Sequence, residues 1–174
     1  MSASLEHRHG APARAARPGA LRAGLVLALA LQPLPAAAQK VRITNISDVG
    51  FGLITNLQAD SRQSQNICLY SASGGGAYSI SATGSGAGSS FALASGSDSL
   101  PYEVEWSAQS GRTNGTPLAP GAALTGQASA ATHQFCNTGP AATASLTVIL
   151  RASELSRARA GTYSGSLTLL VAAE

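Results

Sequence analysis

Along the chain, apolar residues recur at every second position in short runs. Val49, Phe51 and Leu53 alternate through residues 49–54. Residues 65–71 carry Ile67 and Leu69 on one side and Cys68 and Tyr70 on the other. Residues 77–82 carry Tyr78 and Ile80. Tyr102, Val104 and Trp106 alternate with Glu103 and Glu105. Leu146, Val148 and Leu150 alternate within 145–150, and Tyr163, Gly165, Leu167, Leu169 and Val171 within 163–171. Period two sends one set of side chains into a core and the other toward solvent. Each run is bounded by small or turn-forming residues, including the low-complexity stretches 71–76 (SASGGG) and 81–90 (SATGSGAGSS). Short alternating strands with such punctuation predict an all-β sandwich. One helical turn is expected over 152–160, with Ser153 as its cap and Ala160-Gly161 as its stop.

Composition sharpens this expectation. Gly, Ser and Thr make up 49 of the 136 residues from Gln39 onward, and only 14 of those residues are charged. Glycine is a weak helix former, and serine and threonine compete with the helix backbone. The formal net charge of +3 resides entirely before residue 39, where Arg8, Arg14, Arg17 and Arg22 face only Glu6. From residue 39 on, seven basic side chains balance seven acidic ones. A nucleic-acid binder or a polybasic membrane-surface protein needs a clustered basic face, so neither class is expected.

Residues 1–38 read as a secretory signal. The arginines precede the apolar run 23–31 (AGLVLALAL), Pro33 and Pro35 break it, and Ala36-Ala37-Ala38 offers small residues for cleavage before Gln39. The run is shorter than the roughly 20 apolar residues of a membrane span. The expected product is residues 39–174, outside the cytoplasm. Its two cysteines, Cys68 and Cys136, then form a disulfide, the alternative being two buried thiols. With His133 the only histidine after residue 38, no zinc-like ligand set can be assembled, and no metal or other cofactor is expected.

Candidate chemistry is sparse. Glu103 and Glu105 lie about 6.8 Å apart on one strand face by rise per residue. That could suit a cation or a glycosidase-like pair, but it is more simply the solvated side of a half-buried strand. Trp106 is either a core anchor or a sugar-stacking platform, and its phase with Val104 favours the core. His133 has no neighbouring acid. No G-x-S-x-G elbow is present, and the glycine-rich stretches lack a following Gly-Lys-Ser/Thr. Arg151, Arg157 and Arg159 flank one connection and are expected in solvent. No nucleophile, base and orienter come together, so an enzyme is not expected.

The last predicted strand, 161–171 (GTYSGSLTLLV), is followed only by Ala172, Ala173 and Glu174. A seven-stranded immunoglobulin-like sandwich normally has one more strand after it. The expected fold is therefore an incomplete immunoglobulin-like sandwich lacking its final strand, with an open apolar edge that another chain covers.

The ending AGTYSGSLTLLVA resembles the final strand of bacterial chaperone–usher pilins. Val49-Gly50-Phe51-Gly52, Ile67-Cys68 followed by Gly74–Gly76 and Tyr78-Ser79-Ile80, and the 100–104 strand (LPYEV) extend the likeness. In that order they resemble the spore coat protein U domain, shared with archaic chaperone–usher pilus subunits. The likeness spans nearly all of 41–174. It implies secretion to the periplasm and capture by a periplasmic chaperone that inserts a strand. An outer-membrane usher then passes the subunit on to neighbouring pilus subunits at the cell surface. Tyr163, Leu167, Leu169 and Val171 would bound the acceptor groove. Three departures stand out: only Val41 and Ile43 supply apolar side chains before the first domain strand, no cysteine precedes Cys68, and Ala173 stands where many pilins have tyrosine. The first implies a subunit that accepts a strand but donates poorly. The implied role is structural or adhesive, and the competing reading is a self-contained secreted binding module with carbohydrate as its candidate ligand.

Overall fold

The computed structural model describes residues 39–174; the expected export signal, residues 1–38, lies outside the described residues. Among the described residues ten strands form: β1 (Val41–Thr44), β2 (Ser61–Ser71), β3 (Ala77–Gly84), β4 (Ala92–Ser95), β5 (Asp98–Pro101), β6 (Glu103–Ser107), β7 (Thr116–Leu118), β8 (Ala123–Ala128), β9 (Ala144–Leu150) and β10 (Leu167–Ala173). An α-helical turn, α1 (Ala152–Leu155), follows β9. One sheet runs β1-β2-β9-β6-β7, a second runs β10-β3-β8, and β4-β5 is a separate hairpin. Every strand pairing is antiparallel.

The two sheets close on one core. Ile67, Leu69, Val104, Trp106, Leu146 and Leu150 come from the larger sheet, and Tyr78, Ile80 and Ala82 from the smaller. The alternation seen in the sequence thus places the expected residues inside. The Trp106 ring meets Tyr78 edge-on at 6.4 Å, and its indole N–H donates to the Tyr78 hydroxyl at 3.0 Å. The Trp106 donor is thereby satisfied inside the core, with the Tyr78 hydroxyl engaged as its acceptor.

Strand order matches the immunoglobulin plan. β1-β2-β9-β6 stand as strands A, B, E and D of that fold, and β10 beside β3 as F beside C. The seventh strand of the plan, G, flanks F. Among the described residues no strand pairs with that second edge of β10. The described residues form an all-β immunoglobulin-like sandwich in which no strand occupies the G position.

Cys68 and Cys136 form a disulfide with their Cα atoms 5.9 Å apart. It pins the 129–143 connection over the outer face of β2. Where pairing of β2 with β9 ends at Ile67, Thr143 takes over, bonding its N–H to the Ile67 carbonyl at 2.9 Å and its hydroxyl to the Leu69 backbone. Ile67, Cys68 and Leu69 are consequently all buried, although alternation predicts one covered face.

Four elements depart from the sequence reading. Residues 49–54 form no strand. Asn45 (φ 63°) turns the chain out of β1, and Gly52 (φ 62°) breaks the phase, so Ile54 rather than Leu53 packs on the core and Leu53 is 89% exposed. The last strand begins at Leu167 rather than Tyr163; before it only Ser164 pairs, exchanging both backbone bonds with Ala94 of β4. The helical turn stops at Leu155 and starts after Arg151, with no cap from Ser153. Asp60, remote in sequence, accepts the Ala152 N–H at 2.9 Å instead. Glu105 is buried rather than solvated, accepting the Gly115 N–H at 3.1 Å and standing 3.6 Å from Arg62.

Candidate functional site

The unpaired edge of β10 borders a groove of about 1080 Å³. Its floor is the interior face of the sandwich: Leu146, Val148 and Leu150 of β9, with Leu100, Tyr102 and Leu155. One wall is Leu167 and Leu169 of β10 and the run leading into it from Arg159. The other is the segment 46–54, which carries no regular secondary structure. Among the described residues, only Ser47 of that segment has a partner for its N–H, the Gln65 side chain at 2.9 Å. Both walls therefore present backbone donors and acceptors with no strand between them, above an apolar floor.

Local sequence explains each wall. Residues 161–166 pass close to the β4–β5 hairpin and the 84–86 turn, and glycine makes this possible. A Cβ at Gly165 would stand 2.9 Å from Ser85 Oγ and 3.1 Å from the Ala92 carbonyl, and one at Gly161 2.8 Å from Ser95 Oγ. The Tyr163 hydroxyl donates to the Arg159 carbonyl at 3.1 Å, turning its ring along the groove. On the opposite wall Val49, Phe51 and Ile54 lean on the core.

Of the four residues assigned to this edge by sequence, Tyr163, Leu167 and Leu169 line the groove and Val171 does not. Val171 lies opposite Ile80, in the half of β10 where β1 approaches and narrows the seam. That end is tied shut. The Ser73 hydroxyl bonds the Glu174 carbonyl and the Gln39 side chain, Ala72 N–H bonds the Lys40 carbonyl, and Glu174 N–H bonds the Ala77 carbonyl. Val41 and Ile43 are also committed, paired with Ser71 and Leu69 in the body of the sheet. Sequence reasoning missed the 46–54 wall and the Leu100, Tyr102 and Leu155 floor. The alternation around Gly50 and Gly52 signalled burial there, but not the missing partner.

Glu103 and Glu105 are engaged separately, Glu105 with Arg62 and the Gly115 N–H, and Glu103 with Arg151. Arg151 bridges Asp60, at 2.7 Å, and Glu103 over the outer face of β9. Hydrogen bonds from the Ala152 N–H and from Arg151 hold the Asp60 carboxyl below its ordinary range, and the Arg151 bond does the same for Glu103. Arg151 is thus paired, as are Arg157 with Glu154 at 3.4 Å and Arg159 with Asp98 at 3.8 Å. Trp106 is 1% exposed, so it offers no stacking surface for a sugar. His133 packs against Phe135, over which the Arg42 guanidinium sits 3.9 Å from the ring centroid. Among the described residues no three His, Cys, Asp or Glu side chains gather as a metal site, and no helix is long and apolar enough to cross a membrane.

No protein-family model matches the sequence, and no curated protein does. Among solved structures, the chain is similar to one from a chaperone–tip adhesin complex described as vital for synergistic activation of CFA/I fimbriae biogenesis. The TM-score is 0.49 at 16% identity, over 79% of this chain and 42% of that one. The chain thus spans less than half the length of the protein it matches.

Proposed function

We propose that this chain is an exported structural or adhesive subunit of a chaperone–usher, pilus-like surface assembly, and that it accepts a β-strand from another molecule. A periplasmic chaperone would fill the groove in transit, and a neighbouring subunit would replace it at the surface. The observation that carries the reading is the free edge of β10 above a floor of Leu146, Val148 and Leu150. An unpaired, apolar edge is an aggregation hazard unless covered, and an added strand supplies both the missing ladder and the apolar cover. Leu167, Leu169 and Tyr163 act by contact, not catalysis. Because Val41 and Ile43 are held within their own sheet, residues 39–44 are poorly placed to serve as a donor for a neighbour. The fold also suits a self-contained sugar-binding module, but the buried Trp106 removes that reading's main feature.

The test is to secrete the chain into a bacterial periplasm and purify it without a chaperone. Extended peptides with apolar residues at alternating positions are then added. Saturable binding with a rise in melting temperature is expected. A stable soluble monomer that ignores every such peptide would sink the proposal.

A further inference from the structure

The groove carries a feature that bears on which strand enters and which way it runs; the inference rests on the acceptor reading above. Among the side chains lining the groove only Asp48 and Arg159 are charged. They stand toward opposite ends. Asp48 follows Ser47, which is bonded to Gln65 on the β1 side, whereas Arg159 follows α1 at the far end. Arg159 already has Asp98 at 3.8 Å. Asp48 is exposed on the wall between Ile46 and Val49, and among the described residues no cation lies within ion-pair distance of it.

A strand of alternating apolar residues reads the same in both directions. It could pair with the β10 edge parallel or antiparallel, placing side chains over the same floor each time. The apolar surface alone therefore cannot orient its occupant. One uncompensated charge off the centre of the groove breaks that symmetry. We infer that Asp48 orients and selects the incoming strand: the occupant carries a lysine or arginine at the end lying on the β1 side, followed by apolar residues at alternating positions. A strand inserted the other way leaves Asp48 unpaired, and an acidic residue at that end is repelled, so the same charge discriminates against wrong partners. Arg159, at the opposite end beside Asp98, is itself a cation and so offers a basic residue no anchor there.

The test uses the exported chain and four synthetic peptides of one alternating apolar pattern: neutral, lysine at the N-terminal end, lysine at the C-terminal end, and glutamate at whichever end lysine favours. Dissociation constants are measured at low salt and at about 1 M salt, where the screening length falls to about 3 Å. One lysine peptide, and not the other, should bind about two- to fivefold more tightly than the neutral one, the range of a partly exposed ion pair. The glutamate peptide should bind more weakly, and the differences should vanish at high salt and in Asp48→Asn. Equal binding of the neutral and both lysine peptides overturns the inference and leaves the acceptor reading standing. So does a preference that survives Asp48→Asn. Failure of all four peptides overturns the acceptor reading itself.

Discussion

Leu169→Ala separates a groove residue from a core residue. Leu169 is half-buried on β10, packs on the core and lines the groove, whereas its neighbour Leu170 points from the opposite face and is 69% exposed. Burying a leucine side chain completely contributes about 1.5–3 kcal/mol. In the free protein Leu169 realises roughly half of that, so truncation costs about 1 kcal/mol and lowers the melting temperature by about 3–5 °C for a domain of this size. An inserted strand would cover the remainder, worth about 1 kcal/mol more, or about fivefold in Kd. Leu170→Ala should move neither quantity, because its side chain is in water before and after. Paired measurements of thermal unfolding and peptide affinity on the two variants make the check. If Leu169→Ala lost stability but bound the peptide as tightly as the parent, the strand would lie elsewhere. Equal affinity losses in both variants would likewise refute the placement, because Leu170 cannot reach the groove.

Three further outcomes follow from the body of the fold. Replacing Cys68 and Cys136 by alanine releases a cross-link spanning 68 residues; the chain-entropy model gives about 4 kcal/mol of lost stability, read by denaturant unfolding against the oxidised parent. Trp106→Phe leaves the buried Tyr78 hydroxyl without its partner and should cost about 1–3 kcal/mol, while adding Tyr78→Phe should cost less than the sum of the two single changes. Asp60 and Glu103 have folded-state pKa values below the ordinary carboxylate range, so the stability they contribute is present above about pH 4–5 and is lost as pH falls through their folded values. Arg151→Gln should flatten that acid limb of melting temperature against pH; an unchanged limb would show that the network carries none of it.

The faces of this sandwich and the bare edge of its last strand were legible in the sequence; cover supplied from distant parts of the chain was not. Tyr78, Ile80, Val104, Trp106, Leu146 and Leu150 follow from period two because a core selects apolar side chains on one side of a strand. Cover on the second face left a weaker trace. Cys68 and Ile149 are buried as fully as the core, one beneath the disulfide-pinned connection and the other between Arg62 and Glu103 on neighbouring strands. Small polar residues at Ser145 and Thr147 concealed that cover, since they satisfy themselves through Asn66, Gln109 and Ser64 rather than by being apolar. The helical cap was illegible for a related reason: Asp60 supplies it from 92 positions away, so no local pattern records it.

Residues 49–54 carry the point furthest. Their alternation is as regular as that of β3, and Val49 and Phe51 do lean on the core. Yet they form no strand: Gly52 (φ 62°) breaks the run before Leu53, and a strand also needs another backbone beside it. Side-chain periodicity reports which face meets the core; hydrogen-bond partners depend on what the rest of the chain places alongside. The same distinction applies across the groove, where Leu167 and Leu169 alternate correctly beside β3 but leave their outer edge bare. On the proposed acceptor role, Val49 and Phe51 on one wall and Leu167 and Leu169 on the other already pack toward the core before any strand enters. The ordering cost then falls mainly on the incoming segment, so affinity should respond more to preorganising the peptide than to stiffening the acceptor.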